Sequence, residues 1–188
     1  MKALCIIGSP RDQGSTAQVV DRIIAGMTAA GVSVSRHLLD ALRIGFCQGC
    51  KACVATALCV QQDDMDLLIS ELLVADIVLL ASPSYWGDVT AQMKTFIDRC
   101  TPLTDARPGG TIVPKGKRGI AVAIRAGESQ GENEHLIATI HHFFGHLGIT
   151  PAEDVTLEGI RTSKDLAVRR IQLEQAYEMG YRVGGADA

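Results

Sequence analysis

Four cysteines, Cys47, Cys50, Cys53 and Cys59, are spaced Cys-x2-Cys-x2-Cys-x5-Cys. Thiolates are soft ligands, and three at successive x2 spacings can wrap one compact object from a single loop while a fourth closes the coordination sphere. An iron-sulfur cube of the 4Fe-4S type suits that donor set. Zinc competes for the same ligands, but its four-cysteine sites pair two Cys-x2-4-Cys knuckles across a longer insert, which is missing here. Buried free thiols or a redox disulfide pair would use these residues without metal. Gly45 and Gly49 flank the first thiols and permit the tight turns a cluster loop requires.

A second stretch able to do chemistry reads Gly8-Ser9-Pro10-Arg11-Asp12-Gln13-Gly14-Ser15-Thr16. Its glycines let backbone amides converge on an anion at a helix start. Ser9, Ser15 and Thr16 add hydroxyls, Gln13 an amide, and Arg11 a cation. The loop lacks the Gly-Lys-Ser/Thr ending that serves a triphosphate and the Gly-x-Gly-x-x-Gly that serves a dinucleotide, so a phosphate monoester such as that of FMN fits better. A third stretch, Ala81-Ser82-Pro83-Ser84-Tyr85-Trp86-Gly87-Asp88, holds the only tryptophan. One of the two adjacent aromatics can cover an isoalloxazine face, with Pro83 and Ser84 leading into the loop, while Gly87 lets a backbone amide approach the ring. The plainer alternatives are a capped Gly-Ser turn in the first loop and aromatics packed on the core in the second.

Apolar runs alternate with helical-period stretches along the chain, the pattern of a parallel sheet covered on both faces. Strands are expected over residues 3–8, 33–39, 76–81, 118–124 and 149–156. Helices are expected over 15–30, after Asp63 or Asp64 (as cap) through Leu67, Leu68, Leu72 and Leu73, and over 90–100, 132–146 and 163–183. Residues 101–119 form a long connection, and a Gly-Gly-Ala tail frays. Five such strand-helix units fit the α/β doubly wound, flavodoxin-like order 2-1-3-4-5, with a cysteine-rich loop after strand 2. In that order a mononucleotide sits at the carboxyl ends of strands 1 and 3. The expected organisation is one domain over residues 1–188, carrying a cluster-binding loop at 44–62.

With 188 residues, 47% hydrophobic and 21% charged, and a net charge of −3, the composition is that of a globular protein without the basic surface of a nucleic-acid binder. The most apolar stretch, 72–81, is interrupted by Asp76 and is too short to span a bilayer. Six cysteines without an export signal point to a reducing compartment, the cytoplasm. His135, His141, His142 and His146 crowd one helix, and the spacing of the last pair suits a metal, but no further ligand joins them. A polar helix face or subunit contact is the better reading. Cys5 and Cys100 read as packed core thiols.

Taken together, Gly8-Ser9-Pro10-Arg11 with Gly14-Ser15-Thr16, the compact cysteine motif followed by Asp63-Asp64-Met65, and Ser82-Pro83-Ser84-Tyr85-Trp86-Gly87 leading to Met93-Lys94 and Phe96-Ile97-Asp98-Arg99 resemble the iron-sulfur flavoprotein family. That family is a branch of the flavodoxin-like, NAD(P)H-dependent FMN reductases. The resemblance implies FMN and one 4Fe-4S cluster, a homodimer or homotetramer, and electron transfer from NAD(P)H or a ferredoxin-like partner to a quinone, an oxygen species or a small-molecule acceptor. Gly127 is expected to line a third wall of the flavin site, and Arg125 to sit on the surface as an attraction for an acidic partner. No catalytic acid or base is named, because the cofactors carry the reactivity. The competing functions are an electron carrier without a substrate of its own, and a cluster-free quinone or azo reductase with sensor thiols. A near-neutral chain mildly favours an enzyme over a carrier, which needs an acidic docking surface.

Overall fold

The computed structural model describes residues 1–104, 106–128 and 131–185. Five strands, β1 (Lys2–Ile7), β2 (Ser33–Leu38), β3 (Ile77–Pro83), β4 (Arg118–Ile124) and β5 (Thr150–Leu157), form one sheet in the order β2-β1-β3-β4-β5. Every neighbouring pair is parallel. β1, β3 and β4 are covered on both faces and are accordingly continuous apolar runs. The edge strands β2 and β5 carry Ser33, Arg36, Glu153 and Asp154 and remain partly exposed.

Among the described residues seven α-helices flank the sheet, the last two after β5: α1 (Ser15–Ala29), α2 (Ala52–Thr56), α3 (Met65–Val74), α4 (Ala91–Arg99), α5 (Glu132–Leu147), α6 (Ser163–Ala167) and α7 (Arg170–Gly185). One core lies between the sheet and α3, α4 and α5, built on Leu68, Leu72, Met93, Phe96, Ile140 and Phe144. A second lies beneath α1 and α7, with Val20, Ile23, Met27, Met179 and Val183. α1 and α7 cross closely enough that a methyl at Gly26 would stand 2.0 Å from the Tyr177 carbonyl oxygen, and one at Gly180 would stand 2.2 Å from that of Ile23. Among the described residues no helix is long and apolar enough to cross a membrane.

Several expectations are corrected. The single helix foreseen over 163–183 is two, because a capping box between Thr162 and Asp165 starts α6, whose Leu166 is buried, and the chain turns at Val168 before α7 begins. No proline or glycine marks that break, so helical periodicity runs straight through it. Gly184 and Gly185 are helical instead of frayed, and Gly184 is pressed against Ala30 and Val32; the rest of the tail lies outside the described residues. β3 begins one residue after Asp76, whose carboxylate accepts the Lys2 N–H at 2.8 Å. The cysteine loop contains the short helix α2.

Candidate functional site

The loop after β1 is held from beneath. Gly8 donates its N–H to Ala81 O (2.8 Å), and its own carbonyl accepts the Thr90 hydroxyl (2.6 Å). A side chain at position 8 would meet Thr90 Oγ1 and Met93 Cβ, each at 2.9 Å, so only glycine lets the loop lie this low. Ser9 Oγ accepts the Arg11 N–H (3.1 Å) and Gly14 donates to Arg11 O (3.1 Å), closing a compact turn that delivers Ser15 and Thr16 into the first turn of α1. That first turn contains no acidic residue, and no side chain caps it. Its N–H groups and dipole therefore present an anion-attracting end toward which Arg11 and Gln13 are exposed.

The loop after β3 is built on the same anchor. Ser82 Oγ accepts the Thr90 N–H (3.0 Å), so Thr90 ties both loops together as it caps α4 through Met93 N–H. Ser84 donates to Ile124 O (2.7 Å). Tyr85 and Asp88 exchange two backbone hydrogen bonds (3.0 and 3.2 Å), and Trp86 and Gly87 between them have φ of 57° and 79°, a type I′ turn. Trp86 is 104% exposed and Tyr85 49%, so neither plugs the loop against the core. A tryptophan held in left-handed backbone with nothing beneath it is strain and apolar exposure at one point, the combination found where a ligand or partner completes a surface.

At the end of β4, Gly127 accepts the Gly159 N–H (3.1 Å), and a Cβ there would approach Arg125 Nη2 to 2.9 Å. Arg125 itself is buried, with its guanidinium 3.1 Å from Glu132, which corrects the expectation of a surface charge for a partner. The His142 and His146 rings meet edge-on with centroids 4.7 Å apart, while His141 pairs with Asp154.

The thiolate loop lies on the α4 side. Its stem pairs Arg43 N–H with Asp64 Oδ2 (2.7 Å), Gly45 N–H with Asp63 Oδ2 (2.9 Å), and Gln61 Nε2 with Phe46 O (3.0 Å). Asp63 also receives the Met65 N–H (3.1 Å), so it starts α3 through its side chain, whereas Asp64, in the cap position, spends its carboxylate on the stem. Cys47 and Cys50 are exposed, Cys59 is partly buried and Cys53 is buried at the start of α2. Burial, followed by the neighbouring Cys59, Cys50 and Cys47, pushes the Cys53 thiol up from its ordinary value. Yet among the described residues no three His, Cys, Asp or Glu side chains are gathered closely enough to hold a metal ion. The donor chemistry fits an iron-sulfur cluster, while the loop is not closed around one. Cys5 and Cys100 are ordinary core thiols; burial raises Cys5 to about 12 and Cys100 further.

The family model for NADPH-dependent FMN reductase matches residues 1–159. The chain belongs to that family. An iron-sulfur flavoprotein of Archaeoglobus fulgidus is 33% identical over 100% of this chain and 85% of its own length. An FMN-dependent NADH:quinone oxidoreductase of Delftia acidovorans is 29% identical over 84% and 81%. Among solved structures, the NAD(P)H:quinone oxidoreductase from Methanothermobacter marburgensis superposes with a TM-score of 0.78 at 17% identity, covering 97% of this chain and 96% of the other. The five-stranded flavodoxin-like order read from the sequence is the observed one.

As a member of the FMN reductase family the protein is a flavin-dependent oxidoreductase. Its fold brings the Ser9–Thr16 loop and the Pro83–Gly87 loop to adjacent strand ends and joins them through Thr90, a residue the sequence reading did not single out as functional. Arg99 and Asp63 were also unread as chemistry. The available signal was a charge on the apolar face of α4, since Arg99 follows Met93 and Phe96 at helical spacing and is nonetheless 1% exposed.

Proposed function

We propose that this chain binds FMN and one 4Fe-4S cluster and passes electrons from NAD(P)H or a ferredoxin-like donor to a quinone or another small acceptor, as a cytoplasmic homodimer or homotetramer. When bound, the flavin exchanges either one or two electrons and the cluster exchanges one at a time. The chain's own part is placement. Ser9, Arg11, Gln13, Ser15 and Thr16, with the amino end of α1, hold the FMN phosphate. Pro83, Ser84, Tyr85, Trp86, Gly87 and Gly127 border the ring, and Trp86 supplies an apolar face that excludes water. Cys47, Cys50, Cys53 and Cys59 hold the cluster in the loop 44–62. The observation that carries this reading is the four-thiol loop, with Cys47 and Cys50 exposed and Cys59 partly so, in a chain whose remaining thiols, Cys5 and Cys100, are buried in the core.

Iron, sulfide and flavin are to be quantified per chain after anaerobic purification, with four irons and one FMN expected. Cys50→Ala should lose the iron and keep the flavin; iron content unchanged in that variant refutes the ligand assignment. A second reading, a cluster-free NAD(P)H:quinone reductase, is favoured by the absence of any gathered metal-binding group among the described residues. A fully yellow protein without iron would decide for it.

A further inference from the structure

Thr90, the cap of α4, is fully buried and holds two loops with two different groups. Its hydroxyl donates to Gly8 O (2.6 Å) while accepting the Met93 N–H (3.2 Å). Its own N–H donates to Ser82 Oγ (3.0 Å), and the Ser82 hydroxyl, fully buried as well, donates in turn to Pro83 O (2.9 Å). The side chain of Thr90 therefore serves the loop after β1 and its main chain serves the loop after β3. The Pro83–Ser84 peptide is engaged at both ends, since Ser84 gives its N–H to Ile124 O (2.7 Å). The Gly8–Ser9 peptide is engaged at one end only. Ser9 is buried, and its N–H donates to no acceptor among the described residues.

A peptide unit is planar and trans, so its C=O and N–H point in opposite directions. α4 packs on one face of the sheet and α1 on the other. A Gly8 carbonyl drawn toward Thr90 at the start of α4 consequently turns the Ser9 N–H toward the α1 face, where the first turn of α1, capped by no side chain, presents its own N–H groups. A buried N–H without an acceptor is costly, and a charged oxygen offsets more of that cost than a neutral one. We infer that Thr90 is a positioning residue for the phosphorylated flavin. Its hydroxyl fixes the Gly8–Ser9 peptide with the Ser9 N–H aimed at the phosphate, so the chain takes FMN in preference to riboflavin, the same flavin without the phosphate. This rests on the assignment of the Ser9–Thr16 loop to the FMN phosphate proposed above.

Flavin-depleted full-length protein is to be titrated with FMN and with riboflavin, following flavin fluorescence, and the parent should bind FMN more tightly. Thr90→Val keeps the shape and loses the hydroxyl. It should shrink the ratio of the riboflavin to the FMN dissociation constant about 10-fold, the weight of one hydrogen bond to a charged group, with riboflavin affinity within about twofold of the parent. Thr90→Ser keeps the hydroxyl and should restore the parental ratio. Loss of the α4 cap will lower the melting temperature of Thr90→Val, but a merely structural role would weaken both flavins alike, and that result refutes the inference. An equal fall in Thr90→Ser and Thr90→Val refutes it too, because the hydroxyl would not be the cause. Arg11→Ala tests the phosphate loop without touching Thr90. A reduced ratio in Arg11→Ala beside a parental one in Thr90→Val overturns the role of Thr90 and leaves the loop assignment standing. Parental ratios in both variants, or a parent that does not distinguish the two flavins, overturn the loop assignment and the inference with it. Should Thr90→Val fail to fold, the parent alone decides: in isotope-labelled protein the Ser9 amide proton resonance should move downfield on adding FMN and not on adding riboflavin, and an unmoved resonance with FMN overturns the inference.

Discussion

Gly180→Ala sets two physical effects of opposite sign against each other. Alanine is preferred to glycine inside a helix by about 1 kcal/mol, so propensity alone makes the variant more stable. The packing of α7 on α1 says the reverse. The added methyl would stand 2.2 Å from Ile23 O and 3.0 Å from Ile23 C, and both atoms are backbone that cannot rotate away. Carbon-oxygen contact closes at roughly 3.3 Å, so the helices must part by about 1 Å. A gap of that size forfeits a quarter to a half of each dispersion contact across Ile23, Met27, Ala176, Met179 and Val183, all of them buried. Overpacking costs about 1–3 kcal/mol, and an unyielding backbone partner puts this site at the upper end. Less the helix gain, a net loss of about 2 kcal/mol remains, which at this chain length lowers the melting temperature by about 4–8 °C. Thermal unfolding followed by circular dichroism measures it, with Gly145→Ala as the control. Gly145 lies inside α5 with nothing within 4 Å of its would-be Cβ, so that variant should melt higher. If both variants melt above the parent, the close helix crossing is wrong.

Three further outcomes follow from single contacts. Trp86→Ala should leave the melting temperature of the flavin-free protein unchanged, because the side chain is fully exposed, while FMN affinity in a flavin-fluorescence titration falls about tenfold, the loss of one aromatic stacking contact. Equal FMN affinity would remove Trp86 from the flavin site. Lys117 is buried and caps the end of α3 by donating to Leu73 O (3.0 Å) and Ala75 O. Lys117→Met leaves those carbonyls without this donor and should cost about 1–3 kcal/mol in urea unfolding, with FMN binding intact because the residue lies at the amino edge of the sheet. Burial alone would raise the Asp63 carboxyl, but hydrogen bonds from Arg99, Gly45 and Met65 outweigh it and hold the group below its ordinary 3.8. Its contribution to stability is therefore complete above pH 3.8 and is lost as pH falls through the lower folded value. Asp63→Asn should flatten the acid limb of the melting profile in iron-free protein; parallel profiles would contradict this.

The sheet order was legible because β1, β3 and β4 are unbroken apolar runs and the helices between them have clean 3.6-residue periodicity. Buried parallel strands with right-handed crossovers leave few alternatives. The chemistry-bearing loops were legible for a related reason: a glycine-rich turn before a helix and a lone Tyr-Trp pair after a strand are local signals, and the cysteine spacing is a local signal too. Tertiary structure decided the rest. The break between α6 and α7 follows from where Leu166 must be buried and how closely Gly26 and Gly180 let two helices approach, neither of which is written in any window of sequence. Arg125 reads as a surface charge in the sequence, whereas the fold encloses it beside Glu132, and the burial of Arg99 beside Asp63 is likewise set only by the fold. The partner that makes a buried guanidinium tolerable lies thirty-six residues away from Arg99 along the chain. Local pattern determines which elements form and where a cofactor could rest; long-range pairing determines which charged side chains are taken out of water and made to hold a loop in place.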